Sequence, residues 1–86
     1  MALLEAMAYE VPCIVTNVGG NSEVLAHGEH GLLVEPGSRG ALAEAVQYAL
    51  NNGDAMRRMA RNGAERVRRD FRVEETMKRL EAALLG

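Results

Sequence analysis

Aromatic side chains are nearly missing from this sequence. Tyr9, Tyr48 and Phe71 are the only ones, and there is no Trp. A core built from such a chain relies on Leu, Val and Met, because much of the 48% hydrophobic content is Ala. Cysteine is almost absent too, and the single Cys13 excludes an internal disulfide framework. Its place in an apolar run reads as a small buried hydrophobe, which suits a reducing cytoplasm; a reactive thiol would need an electropositive, partly exposed setting. No apolar stretch approaches the roughly 20 residues that cross a bilayer, and Met1–Ala8 lacks the basic region that opens a signal peptide. The expected setting is therefore soluble and cytoplasmic. An excess of charge is lacking as well: a net charge of -2 and a pI near 5.6 give no overall attraction for nucleic acid or anionic membrane.

What is present suits one small globular domain. At 86 residues, with 26% charged side chains, the chain is not of disordered composition. A domain of that size buries only about 60–65% of the surface its unfolded chain exposes, so its core is marginal. Met1–Tyr9 reads as the end of a helix, stopped by Val11-Pro12. Cys13–Thr16 is continuously apolar and β-branched, the pattern of a parallel strand covered on both faces. A turn over 17–21 follows, where Asn21 or Ser22 can cap a short helix reaching about Ala26 with Glu23 in its first turn. A second glycine-punctuated turn over 27–31 leads to the strand Leu32–Val34, closed by Pro36-Gly37. Two strands joined through a helix should be parallel and right-handed.

The remaining chain reads as helical. Ser38 can cap a helix to about Asn51 with Leu42, Ala45, Val46, Ala49 and Leu50 on one face. Asn52-Gly53 ends it, and Asp54 can cap the next. From Ala55 to about Asp70, Met56, Met59, Ala60, Gly63, Val67 and Phe71 form an apolar stripe. A last helix over about 73–85 carries a narrow seam of Val73, Met77, Leu80 and Leu84. Two short parallel strands and about five helices in this order match the final part of a doubly wound, Rossmann-like α/β domain, without the rest of its sheet.

Glu5 is the chemically pointed residue, because it interrupts the apolar surroundings of Leu3, Leu4, Met7 and Ala8. Taken alone it is either a solvated helix residue or a carboxylate with something to bind. Its context is Leu3-Leu4-Glu5-Ala6-Met7-Ala8, then Val11-Pro12, the apolar strand, Gly19-Gly20 with Glu23 three residues later, and Gly28 to Gly31-Leu32-Leu33-Val34. This set, in this order, resembles the C-terminal part of GT-B glycosyltransferases of the group called glycosyl transferases group 1. There an E-x7-E motif is followed by A-M-A-x-G-x-P, a strand, G-G-x-x-E and G-x-x-G-L-L-V. Glu5 matches the second Glu; the first would fall upstream of Met1, so the chain is expected to begin inside the motif.

The resemblance covers Leu3–Pro36, with weaker agreement of helix order beyond it. It implies a parent enzyme that moves a sugar from a UDP-, ADP- or GDP-sugar to an acceptor, with retention of anomeric configuration and no metal or other cofactor for donor binding. It also implies that Glu5 contacts the ribose, that the backbone of Met1 and Ala2 meets the diphosphate, and that Gly19-Gly20 lies near the donor. Physically, phosphates favour amides at a helix N-terminus, and ribose hydroxyls favour a carboxylate. Gly19-Gly20 is first of all a turn device, with nearness to the donor as a consequence. Two positions depart from the pattern: Ser22 stands where Pro is common, and Glu10 where Gly is usual. If the helix ends in a left-handed residue, Glu10 carries about 1 kcal/mol of strain; otherwise the turn differs.

Two further signals have plainer readings. His27 and His30 flank Gly28 without a third clear ligand, so they read as turn residues rather than a metal site. Arg57, Arg58, Arg61, Arg66, Arg68, Arg69 and Arg72 are interleaved with Glu65, Asp70, Glu74 and Glu75. That mixture reads as a solvated face with helix-pair partners, not a nucleic-acid surface.

The expected organisation is one incomplete domain over 1–86: a motif-bearing part over 1–37 and a helical part over 38–86. Its expected partners are a nucleotide diphosphate sugar and the acceptor domain of the parent, with no nucleic acid. Two competing readings are a nucleotide-binding module without turnover, and an interaction protein that self-associates through the 73–84 seam and its open sheet edges.

Overall fold

The computed structural model describes residues 3–71. In chain order these form α1 (Leu3–Ala8), β1 (Ile14–Thr16), α2 (Asn21–Val24), β2 (Leu32–Val34), α3 (Arg39–Asn51) and α4 (Gly53–Asp70). The expected α/β order is present, with four helices among the described residues. The fifth helix expected over 73–85 and its seam lie outside them. No described helix is long and apolar enough to cross a membrane.

β1 and β2 pair in parallel, with Ile14 opposite Leu32, Val15 opposite Leu33 and Thr16 opposite Val34. The crossover between them carries α2. The expected burial on both faces does not hold for β1, whose Ile14 and Val15 are only half-buried; in β2, Leu32 and Val34 share one buried face and Leu33, on the other, is half-buried. Among the described residues β1 has a single neighbouring strand, so its far edge stays uncovered. At the other edge, the Leu33 N–H, which turns away from β1, donates to His27 Nδ1 at 3.0 Å. That capped donor is one fewer for an extraneous strand to pair with.

Gly31 makes the strand pairing possible by its size. A Cβ there would lie 2.7 Å from the Cys13 carbonyl oxygen and 2.9 Å from Leu25 Cδ1. The same carbonyl accepts the Leu32 N–H at 2.9 Å, so it cannot retreat without loosening the start of the ladder.

Two apolar clusters form the core. One joins Met7, Ala8, Cys13, Leu25 and Val67; the other joins Leu32, Val34, Ala45, Met56 and Met59. α4 contributes to both and buries Met56, Met59, Ala60, Gly63, Ala64 and Val67, which is the expected stripe with Ala64 added and without Phe71, a half-buried residue in extended conformation just past the helix end. Full burial of a side chain such as Met7 or Leu25 contributes about 1.5–3 kcal/mol. Where α4 crosses α1, a Cβ on Gly63 would sit 3.3 Å from both the His30 carbonyl oxygen and Met7 Cε.

Three local expectations are corrected. α2 is capped by Gly20, not Asn21 or Ser22, because the Asn21 side chain turns back and donates to the Thr16 carbonyl at 2.8 Å. Asp54 does not cap α4: a single residue, Asn52, separates α3 from α4, and Asp54 already lies in the first turn, paired with Arg57. The Asn52 side chain donates to the Tyr48 carbonyl at 2.8 Å, closing α3 instead. Finally, α3 is capped by Ser38 as expected, its Oγ accepting the Ala41 N–H at 3.1 Å, but its core face is Ala41, Ala45 and Ala49. Leu42, Val46 and Leu50 face outward, 47%, 43% and 80% exposed. The narrow alanine face lets α3 lie close to β2, while the long methionines of α4 fill the space beneath.

Candidate functional site

α1 consists of strong helix formers, and Glu5 sits half-buried in its first described turn. Met1 and Ala2, the expected diphosphate-facing backbone, lie outside the described residues. The helix ends in a Schellman turn: the Val11 N–H donates to the Ala6 carbonyl and the Glu10 N–H to that of Met7, both at 3.0 Å. Its left-handed residue is Glu10, with φ 59°. Of the two alternatives left open by the sequence, the strained side chain is the one realised. A β-carbon in that conformation costs roughly 1 kcal/mol relative to Gly.

The last four carbonyls of a helix have no partner within it. Here Glu5, Ala6 and Met7 receive the Tyr9, Val11 and Glu10 amides of the turn, at 3.1, 3.0 and 3.0 Å. The fourth, Ala8, receives a guanidinium N–H of Arg68 at 2.7 Å, from far along the chain. Arg66 donates in the same way to the Glu23 carbonyl at 3.0 Å, and Asn62 to the Glu29 carbonyl at 3.1 Å. The basic face of α4 does contain helix pairs, with Arg57–Asp54 and an Arg66–Asp70 contact of 3.8 Å. Arg69 also hydrogen-bonds Asp70 at 3.0 Å and holds that carboxyl below the usual carboxylate range. Part of the face is nevertheless spent on backbone carbonyls of α1, α2 and the 26–31 turn. Sequence reasoning missed this because a long side chain reaching another element leaves no periodic signature.

Gly19 and Gly20 follow β1 with φ of 55° and 83°, and Gly20 starts α2. Consecutive left-handed residues of this kind are favoured only by Gly, so the turn reading accounts for the pair. Glu23, in the first turn of α2, directs its carboxylate toward this loop, with Oε2 3.8 Å from where a Gly20 Cβ would stand. Its place three residues after Gly20 was visible in the sequence, as part of the motif pattern and as a favourable position near the helix N-terminus. In an α/β unit a helix runs counter to the strand it feeds. The N-terminal end of α1 and the Gly19-Gly20 loop therefore belong to the same, carboxyl side of the sheet, where doubly wound folds bind ligands.

The histidines act within the turn. Nδ1 of His27 accepts the Leu33 N–H and Nδ1 of His30 the Ala26 N–H, each at 3.0 Å. Burial pushes the His30 pKa below its ordinary value; Glu29 opposes this, and Arg66 and Arg69 add to it. Among the described residues no group of three or more His, Cys, Asp or Glu is placed to hold a metal ion. Cys13 is buried, its thiol donates to the Val11 carbonyl at 3.1 Å, and burial raises its pKa, which keeps it protonated.

Comparison with known proteins agrees with this architecture. The family model for glycosyl transferases group 1 matches residues 1–66. The chain is 40% identical to N-acetyl-alpha-D-glucosaminyl L-malate synthase of Bacillus anthracis over 94% of its length and 21% of that protein. It is 35% identical to the capsular polysaccharide biosynthesis glycosyltransferase CapM of Staphylococcus aureus, over 92% of this chain and 21% of CapM. It is 34% identical to glycogen synthase of Mycobacterium tuberculosis, over 83% and 17%. The chain thus spans about one fifth of the length of these relatives. No solved structure matches it. With a family match over more than half its residues and the partial Rossmann-like α/β fold, the chain belongs to the group 1 glycosyltransferase family.

Proposed function

We propose that the protein carrying this chain transfers a sugar from a nucleotide diphosphate sugar to an acceptor, retaining anomeric configuration, and that residues 1–20 supply part of the donor subsite. Glu5 accepts hydrogen bonds from the ribose hydroxyls. The backbone amides of Met1 and Ala2 receive the diphosphate, and Gly19-Gly20 allows close approach of the loop beside it. The observation that carries the reading is the position of Glu5: a half-buried carboxylate in the first described turn of a helix whose Met7 and Ala8 are committed to the core.

The relatives' names, which speak of a malate conjugate, a capsular polysaccharide and glycogen, differ in product while sharing this segment. That supports a donor-side role for it, with the acceptor held by another part of the protein. The reaction then takes place in the cytoplasm, where nucleotide sugars are available.

Isothermal titration of UDP, ADP and GDP into the protein and into Glu5→Ala tests the assignment. Hydrogen bonds to a charged group contribute about 1.5–3 kcal/mol each, so the substitution should weaken the preferred nucleotide roughly ten- to a hundredfold. Equal affinity in both proteins would reject the ribose role.

A further inference from the structure

We infer that Arg68 is a positioning residue for Glu5, acting through α1; this rests on the donor-site reading above. The C-terminal end of α1 is where its carbonyls need donors from outside the helix. Met7 and Ala8 pack that end of α1 against Val67 of α4, and how the end is held bears on the direction in which α1 points Glu5. The turn supplies amides to three of its last four carbonyls, and Arg68 supplies the remaining donor, to Ala8 at 2.7 Å. A guanidinium at this place also complements the negative end of the helix dipole.

Glu5 lies about one turn before Ala8, so a tilt at the anchored end is passed to the carboxylate. α4 is suited to be the reference frame, because its apolar stripe joins both core clusters. Its Asn62 and Arg66 fix the 26–31 turn and the α2 segment in the same manner. Arg68 also shares a surface hollow with Glu10, Arg61, Glu65 and Arg69, so the strained residue of the Schellman turn lies beside the group that completes it.

The test is a double-mutant cycle read by titration of UDP, ADP and GDP into the protein carrying this chain. Arg68→Met should weaken the preferred nucleotide about tenfold, Arg68→Lys should recover part of that loss, and Arg57→Ala, an exposed arginine paired with Asp54, should change nothing. In a Glu5→Ala background, Arg68→Met should cause no further loss, because the residue it positions is gone. A lowered melting temperature with unchanged affinity would make Arg68 merely structural and overturn the inference. An equal loss with and without Glu5 would show that it acts elsewhere, and would overturn it too.

If Glu5→Ala alone leaves affinity intact, the ribose reading fails and the inference falls with it. If Glu5→Ala weakens binding and Arg68→Met does not, only the positioning role fails. Should Arg68→Met not fold, the cycle is repeated with Arg68→Met in a Glu10→Gly background, where the left-handed strain is removed.

Discussion

α3 and α4 meet at Asn52 and are both amphipathic in sequence, yet they join the molecule in opposite ways. α3 presents three alanines to the core and leaves its larger apolar side chains outside. α4 buries its large residues and sends Asn62, Arg66 and Arg68 to carbonyls on three other segments. Stability and functional geometry should therefore depend on α4 far more than on α3. Apolar periodicity alone does not distinguish the two, because it shows that a face exists but not how closely a neighbour can approach it.

Paired truncations give the largest expected contrast. Val67→Ala, at a fully buried position of α4, should cost about 2 kcal/mol in urea unfolding. Leu50→Ala in α3 should stay within about 0.5 kcal/mol, since Leu50 is 80% exposed and Ala is the better helix former. Comparable losses would mean that the outer face of α3 is covered and the contrast is wrong. A smaller effect of opposite sign is expected at the junction of α1 with the strand: Glu10→Gly should stabilise by about 1 kcal/mol, because φ 59° costs Gly almost nothing. A loss there would show that the Glu10 carboxylate contributes more, beside Arg61, Arg68 and Arg69, than its backbone strain costs.

His30, packed against α4, sharpens the comparison through pH. Burial lowers its folded pKa below the ordinary 6.5, so on acidification the unfolded chain takes up the proton first. Its contribution is complete above pH 6.5 and is lost as pH falls from there through the lower folded value. The neutral ring is needed, because Nδ1 accepts the Ala26 N–H. Urea midpoints followed downward from pH 7.5 should fall less steeply in His30→Asn, which keeps an acceptor but cannot titrate. An identical slope would remove His30 from the account.

The parallel pair, the Ser38 cap and the α4 stripe could all be read from the sequence, because each leaves a local or periodic pattern: β-branched runs, a Ser before a helix, apolar residues every third or fourth place. What escaped was set by tertiary space. Gly31 is needed for its small size against Cys13, Asn21 prefers a strand carbonyl to a helix cap, and the Ala face of α3 wins over the Leu face because it permits closer packing. The proposed site came from the sequence as a set of motif residues, including Glu5 and Gly19-Gly20. The support from Arg68 did not, since it joins residues distant in sequence and follows no spacing rule.

The central claim is that the Glu5 carboxylate grips ribose hydroxyls. It is tested most directly by comparing the preferred nucleoside diphosphate with its 2′,3′-dideoxy analogue on the protein and on Glu5→Ala. The account predicts that removing the hydroxyls weakens binding roughly ten- to a hundredfold in the unmodified protein and has little effect once Glu5 is Ala. Equal discrimination by both proteins would contradict it.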